Sequence, residues 1–311
     1  MSVGALAYLG LTKEAAFATP VTATHFPPIS SESFRDGPEA ISEAQIRGLL
    51  SMDPKYKGMQ MVSGGFGGVA YPSTLGHLFR AAFGNPVTTG AGPYTHTFIP
   101  PQAAAGVGKA DMPPYSITVN RNAVQIKRYF GLVLGKLGLK FTQGGMLTYD
   151  TTWLGKDADV VTAPTLVQNT DTPFQLTANL TRGGSPDITI QDFSIDITNS
   201  FEAVKTINNT NLIEAIRLSG KRTITFSGTA DFSSTALYDQ FVAYTTQAWS
   251  IVFTQGPATL TIEIPAALLP DVSAAVGGDG RITASFSGEA QYDTATSRDL
   301  RMILINSIAA Y

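Results

Sequence analysis

Apolar and polar positions alternate with period two through most of the chain. In KRTITFSGTADF (221–232), Ile224, Phe226, Gly228, Ala230 and Phe232 fall on one face and Thr223, Thr225, Ser227, Thr229 and Asp231 on the other. That pattern predicts a strand buried on one side. Comparable runs occupy 94–100, 115–120, 146–155, 174–181, 193–201, 249–256, 259–264, 281–290 and 301–306, and together they predict a mainly antiparallel β fold. Helical patterning is confined to 74–83, with Ser73 as N-cap and Gly84 as stop, and to 235–246, capped by Ser234. Asp279-Gly280 before Arg281 reads as a tight turn, because glycine tolerates positive φ.

These elements recur in the same order. FGGVAYPSTLGHLFRA matches FSGTADFSSTALYDQFVA through Phe66 and Phe226, Gly68 and Gly228, Ala70 and Ala230 and, after a two-residue gap, Phe79 and Phe241. Around this match, FPPISSESF (26–34) aligns with FSIDITNSF (193–201), the strand ending at Phe98 with the one ending at Phe253, MLTYDTTW with RITASFSG, and FQLTANL with LRMILIN. Chance similarity has no reason to be collinear, so the chain reads as two divergent copies, 24–183 and 184–311, preceded by an N-terminal arm, 1–23. The first copy carries a long connection, RDGPEAISEAQIRGLLSMDPKY, with EAVKTINNTNLIEAIRLSG as its counterpart. Connections of this length in compact β domains commonly contact a partner. Ile46, Leu49 and Leu50 are ill suited to a solvated loop. They either pack on a neighbouring subunit or fold back on their own domain.

Composition narrows the chemistry. The 311 residues carry a formal charge of −3 with only 14% charged residues, so no basic surface announces stable nucleic-acid binding. Cysteine is absent, which excludes disulfides, thiolate metal sites and cysteine nucleophiles. MSVGALAYLGLTKEAAF has neither a basic segment nor a cleavage pattern, so no signal peptide is expected, and no apolar run reaches membrane-spanning length. A soluble cytosolic product is expected. GGFGGVAYPSTLGHLFRAAF (64–83) lacks the Gly-Lys-Ser/Thr of a phosphate loop, and its second copy has Thr and Ser in place of most glycines, so it reads as a strand feeding a helix. His25, His77 and His96 lie far apart without metal-ligand spacing, and no G-x-S-x-G elbow occurs. Asp192 and Asp196 share a strand face with Ser194 and Thr198. Paired carboxylates can serve a glycosidase, but the matching first-copy positions are not acidic. Phe66, Phe226, Tyr149 and Trp153 occupy inward positions and read as core.

YLGLTKEAAFATPVTATHFPPISSESF, GMQMVSGGFGGVAYPSTLGHLFRAAFG and YTHTFIP resemble the tail tube (major tail) proteins of long-tailed, non-contractile bacteriophages, most clearly over about residues 8 to 100. The closing GGDGRITASFSGEAQYD and RMILINS also suit the family. The resemblance implies rings whose inner strands join into one continuous β-barrel around a channel, with helices outside, stacked through long loops and terminal arms. A related tube fold appears in type VI secretion. The expected fold is therefore two tandem tail-tube-like β-sandwich or barrel domains, each with one short helix. Six copies usually make a ring, so a tandem chain implies a trimer with pseudo-sixfold symmetry, a hexamer being the alternative. Closing the barrel across subunits would remove exposed strand edges.

The implied function is structural: a virion protein made in the bacterial host cytoplasm, polymerised into the tail tube, with no enzyme activity, metal, cofactor or membrane contact. Its implied partners are further copies of itself, a tape measure protein, and tail terminator and tail-tip proteins. Double-stranded DNA would pass without specific binding, which low basicity suits. For stacking the expected residues are Ile46, Leu49 and Leu50 of the long connection with Leu9 and Leu11 of the arm. For the lumen they are Asp192, Ser194, Asp196 and Thr198 in the second copy and Glu32 in the first; outer solvent is the equal alternative. The competing readings are a phage tail-tip or other soluble carbohydrate- or protein-binding module, which would need an aromatic platform or paired carboxylates. Self-association separates these classes.

Overall fold

The computed structural model describes residues 3–43, 45–102, 112–175, 178–276 and 279–311, so part of the predicted strand 174–181 lies outside the described residues. Among the described residues, nineteen strands form one hydrogen-bonded network and two form a separate hairpin, and no closed barrel arises within the chain. The fold is a β-sandwich with two short helices.

One layer is a single antiparallel array. From one edge to the other it runs Ser31–Glu32, then Phe66–Val69 continuing Lys55–Gly64, Thr148–Gly155, the C-terminal part of Gln125–Thr142, Ile190–Thr198, Thr223–Asp231, Thr283–Ala290 and the C-terminal part of Ala258–Ala274. The two long strands then leave this layer. Gln125–Thr142 turns at Gly131 (φ +63) and pairs with Tyr115–Arg121 and Asp157–Val160. Ala258–Ala274 shifts register between Leu268 and Asp271, and its N-terminal part pairs with Gln247–Gln255 and Arg301–Asn306. Such kinks let one strand serve two sheets. The second layer is completed by Tyr8–Lys13 on Tyr115–Arg121, Ala178–Arg182 on Gln247–Gln255, and Tyr94–Phe98 with Val87–Thr89 beyond Arg301–Asn306.

The core between the layers is one apolar cluster, aromatic at two points. Phe66 stacks on Trp153, which meets Tyr115 edge-on; Trp249 packs against Phe193, Phe226 and Phe286. Each such side chain contributes about 1.5–3 kcal/mol by leaving water. The glycine run exists for backbone contact. A Cβ on Gly65 would lie 1.7 Å from the Thr151 carbonyl oxygen, and Gly64 adopts φ +146 against the Phe34 backbone. It is a strand pair with no room for side chains.

Pro72–Phe83 begins with proline at its first turn and stops at Gly84 (φ +92), whose N–H donates to the Arg80 carbonyl. Its cap comes from elsewhere: the Asp171 carboxylate accepts the Ser73 N–H at 3.1 Å, and Ser73 lies inside the helix rather than at its N-cap. Ten of its twelve residues are buried, so this helix belongs to the core of the chain. Ala236–Ala243 is shorter and buries only Leu237 and Gln240; Ser234 Oγ accepts the Ala236 N–H at 3.2 Å.

The expected long connection is a β-hairpin, Arg35–Ser42 on Lys55–Gly64, and its counterpart is the hairpin Phe201–Val204 on Ala215–Leu218. The second leans on the first. Ile213 and Ile216 pack with Val133, Met59 and Met61, and Lys205 Nζ reaches the Glu39 carboxylate at 2.9 Å. Both hairpins leave the sheet at one end, where Gly64 opposes Trp153 and Thr198 opposes Lys136.

The succession of pairings occurs twice, with different partners from those the sequence alignment chose. The counterpart of Gln247–Gln255 by pairing is Tyr115–Arg121, not the strand ending at Phe98; that of Arg301–Asn306 is Asp157–Val160. Tyr8–Lys13, expected in a free arm, holds the place that Ala178–Arg182 holds in the second half. Asp279 and Gly280 form a bend. The left-handed glycine that turns Gln247–Gln255 into Ala258–Ala274 is Gly256, φ +55.

Candidate functional site

Four of the expected residues lie together. Asp192, Ser194, Asp196 and Thr198 alternate with buried Phe193, Ile195 and Ile197 along one strand. Their neighbours are Thr142, Lys140, Gly138 and Lys136 on one side and Thr229, Ser227, Thr225 and Thr223 on the other. The polar row continues outward through Ser285, Ser287 and Glu289 to Asp271 and Ser273. In the other direction it runs through Thr148, Asp150 and Thr152 to Gly67 and Ser31. One continuous polar face thus spans the whole array.

Its charges are unequal in sign: Asp150, Asp192, Asp196, Asp271 and Glu289 against Lys136 and Lys140. Lys136 Nζ pairs with Asp196 at 3.1 Å, Thr229 Oγ1 bonds Asp192, and the Ser194 and Ser227 hydroxyls meet at 2.8 Å. A Cβ on Gly138 would lie 2.5 Å from Asp150 Oδ1 and 2.8 Å from Asp196 Oδ1, so glycine lets two carboxylates approach across it. The face is broad and open and carries more carboxylates than lysines.

Glu32 does not belong to it. Ser31 and Ser33 are exposed, while the Glu32 carboxylate turns to the other side and takes Arg121 Nε at 2.7 Å and Nη2 at 2.9 Å. Alternation places neighbours on opposite faces.

The hairpin tip carries the apolar residues expected there. Ile46 is 105% exposed, Leu49 71% and Leu50 110%, and Met52 is also exposed. Arg47 pairs with Glu43 and stands 3.7 Å from Asp53. Ile207, between the strands of the second hairpin, is likewise exposed. Burying isolated apolar side chains elsewhere is the only way they stabilise anything. Leu9 and Leu11 are not part of that surface: both are 0% exposed, opposite Val119 and Ile117 in the second layer. At the far end of the sheet from the hairpins, Phe141, Leu180, Ile188, Ile190, Phe193 and Ile251 line a cleft of about 370 Å³.

The three histidines converge on one place, although no spacing in the sequence indicates it. His25 stacks on His77 with ring centroids 4.5 Å apart, and Tyr311 meets both His77 and His96 edge-on. Burial holds His25 down at about 4 and His77 at about 3. His96 bonds Thr88 Oγ1 and the Ile308 carbonyl. Among the described residues no cluster of histidine and acidic side chains is arranged to hold a metal.

Sequence reasoning missed Lys136, Lys140, Asp150, Asp271 and Glu289 on the polar face. The signal was available in KLGLKFT (136–142), which alternates polar and apolar, with Gly138 in a polar place. Comparison with curated proteins gives no match. The profile of the family described as phage tail tube protein matches residues 4–290. The match covers nearly the whole chain, and the protein belongs to the phage tail tube protein family, structural components of the virion tail.

Proposed function

We propose that this protein builds the tube of a long, non-contractile tail as stacked trimeric rings, with the polar sheet face lining the channel through which DNA passes. The observation that carries this reading is the polar face itself, unbroken across two like units within one chain. The corresponding pairings of Tyr8–Lys13 and Ala178–Arg182 support units that begin at these strands, in place of the boundaries 24 and 184 read from sequence. Two units per chain make three chains equivalent to six, since a repeated heterologous contact closes into a ring.

The lining proposed in the second unit is Asp192, Ser194, Asp196 and Thr198, with Ser31 and Ser33 replacing Glu32 in the first. A surplus of carboxylates suits a conduit, because every lysine or arginine on phosphate adds affinity that retards passage. Stacking is assigned to Ile46, Leu49 and Leu50, without Leu9 and Leu11. Tape measure, terminator and tail-tip proteins are the other partners of such a tube, and the chain is neither an enzyme nor a cofactor carrier.

Electron microscopy of the purified protein over a concentration series, with mass by light scattering, tests this. Stacked rings of three chains with a central channel are expected. Rings of six chains would keep the tube and overturn the pseudo-sixfold reading. A monomer at every concentration, even when mixed with tail-tip assemblies, would overturn both.

A further inference from the structure

In the polar-faced layer the two halves of the chain are joined by one strand pair; in the other layer Tyr94–Phe98 lies against Arg301–Asn306. Residues 136–142 run antiparallel to Asp192–Thr198, with Lys140 opposite Ser194, Leu139 opposite Ile195 and Gly138 opposite Asp196. Among the described residues, the outer sides of 271–274 and of Ser31–Glu32, at the two ends of the array, have no strand partner. Unpaired edges are templates for another chain.

Each open edge is the counterpart of one side of the internal joint. In the first half Tyr149 lies between Gly68 and Leu139; in the second Phe286 lies between Gly228 and Val272. Val272 therefore stands where Leu139 does, Ser273 where Lys140 does and Asp271 where Gly138 does. At the other edge, Ser31 opposes Gly67 as Ser194 opposes Ser227, and Glu32 opposes Phe66 as Ile195 opposes Phe226. Ser31 stands for Ser194, and Glu32 for Ile195.

We propose that copies of this chain join by pairing residues 271–274 of one antiparallel to residues 30–33 of the next, in the register of the internal joint: Ser273 opposite Ser31, Val272 opposite Glu32, Asp271 opposite Ser33. This names the interface of the proposed ring and rests on that reading. Two features at the ends of the pairing fit it. The next position sets Pro270 opposite Phe34. Pro270 has no N–H to give, and Phe34 needs no partner: its N–H is taken by Glu32 Oε2 at 3.1 Å and its carbonyl by Arg121 Nη2 at 2.8 Å. Both strands stop being available at the same step. The faces agree as well, since exposed Asp271, Ser273, Ser31 and Ser33 would extend the polar row and buried Val272 the apolar one. The Glu32–Arg121 ion pair just behind the edge is the kind of inward charge that discourages unregulated strand addition.

The absence of native cysteine makes the test direct. Ser31→Cys with Ser273→Cys, assembled and treated with a mild thiol oxidant, is expected to give covalent species that end at trimer on a denaturing gel. Lys140→Cys with Ser194→Cys, the internal equivalents, should close within one chain and so report that the geometry permits a disulfide. Ser31→Cys with Asp271→Cys is out of register and should link far less. Rings or tubes seen by microscopy without the Ser31–Ser273 link, while the internal control closes, would overturn the joint and leave the tube standing. Linkage that favours the out-of-register pair overturns the register. A sample with neither link nor rings overturns the joint together with the reading beneath it.

Discussion

The ring of Tyr311 fills the space where Gly76 has no side chain: a Cβ there would lie 1.9 Å from Tyr311 Cζ. The Tyr311 hydroxyl donates to the Pro72 carbonyl at 3.2 Å and accepts from the Asn306 side-chain amide, which also donates to Pro72. One ring thus ties the buried helix to Arg301–Asn306. Gly76→Ala should displace it and cost about 2–4 kcal/mol, the range for overpacking combined with lost contacts. Removing the ring by Tyr311→Ala should cost a similar amount, and the double variant little more than either alone. Urea unfolding checks this; additive losses would show that the two residues do not share one site.

Changing Leu49 and Leu50 together to Asp should leave monomer stability within about 0.5 kcal/mol, because neither side chain is buried. Rings should still form, and elongation should stop. Tubes of ordinary length from this variant, seen by microscopy, would remove the hairpin tip from the stacking contact.

Charge reversal tests the lining. Asp150→Lys with Asp196→Lys converts the carboxylates flanking Gly138 into phosphate ligands. Assembled variant tubes should retain duplex DNA at low salt, with the slope of log K against log salt steeper by roughly 0.9 for each new phosphate contact. Co-sedimentation over a salt series reads it. Unaltered retention would place this face away from the channel.

The stacked histidines predict acid sensitivity. Unfolded, both titrate near ~6.5, whereas burial depresses His25 to about 4 and His77 to about 3. Between pH ~6.5 and about 3 the unfolded chain therefore binds more protons, so stability is complete above pH ~6.5 and falls as pH drops toward 4 and then 3. At ~1.4 kcal/mol per unit of difference, the loss between pH 7 and 4.5 is about 2–5 kcal/mol. Buried Glu14, whose carboxyl is pushed up by desolvation, offsets part of it. His77→Phe should flatten the dependence at little cost at pH 7, since His77 Nδ1 has no partner to lose. Equal pH slopes for the variant and the parent, from urea midpoints, would refute this.

Alternation made the outer parts of this fold legible. Arg301–Asn306 sits at its expected bounds because buried and half-buried positions alternate along it, and Tyr115–Arg121 lies within a residue of its own because polar and apolar types alternate there although its first six residues are all buried. The first part of Gln125–Thr142, before the alternating run at 136–142, carries no such signal: Leu132, Val133 and Leu134 are all buried where the strand crosses between layers, and Gly131 and Gly135 interrupt the pattern. Leu9 and Leu11 alternate correctly, but six residues carry too little signal to tell an edge strand from an arm. Glu32 was misplaced through register, since a slip of one position turns every side chain to the other face. The histidine cluster is tertiary and had no local signal at all.

Both hairpins lie at one end of the sheet, and the cleft, lined by Ile188 and Ile190 together with Asp187, Gln191 and Asp192, lies at the other. Copies stacked in a single sense would therefore make a filament with two chemically unlike tips, one offering Ile46, Leu49 and Leu50 and the other offering Ile188 and the half-buried Ile190. Such a filament has a growing direction written into each monomer, and a length-limiting cap need recognise only one of its tips.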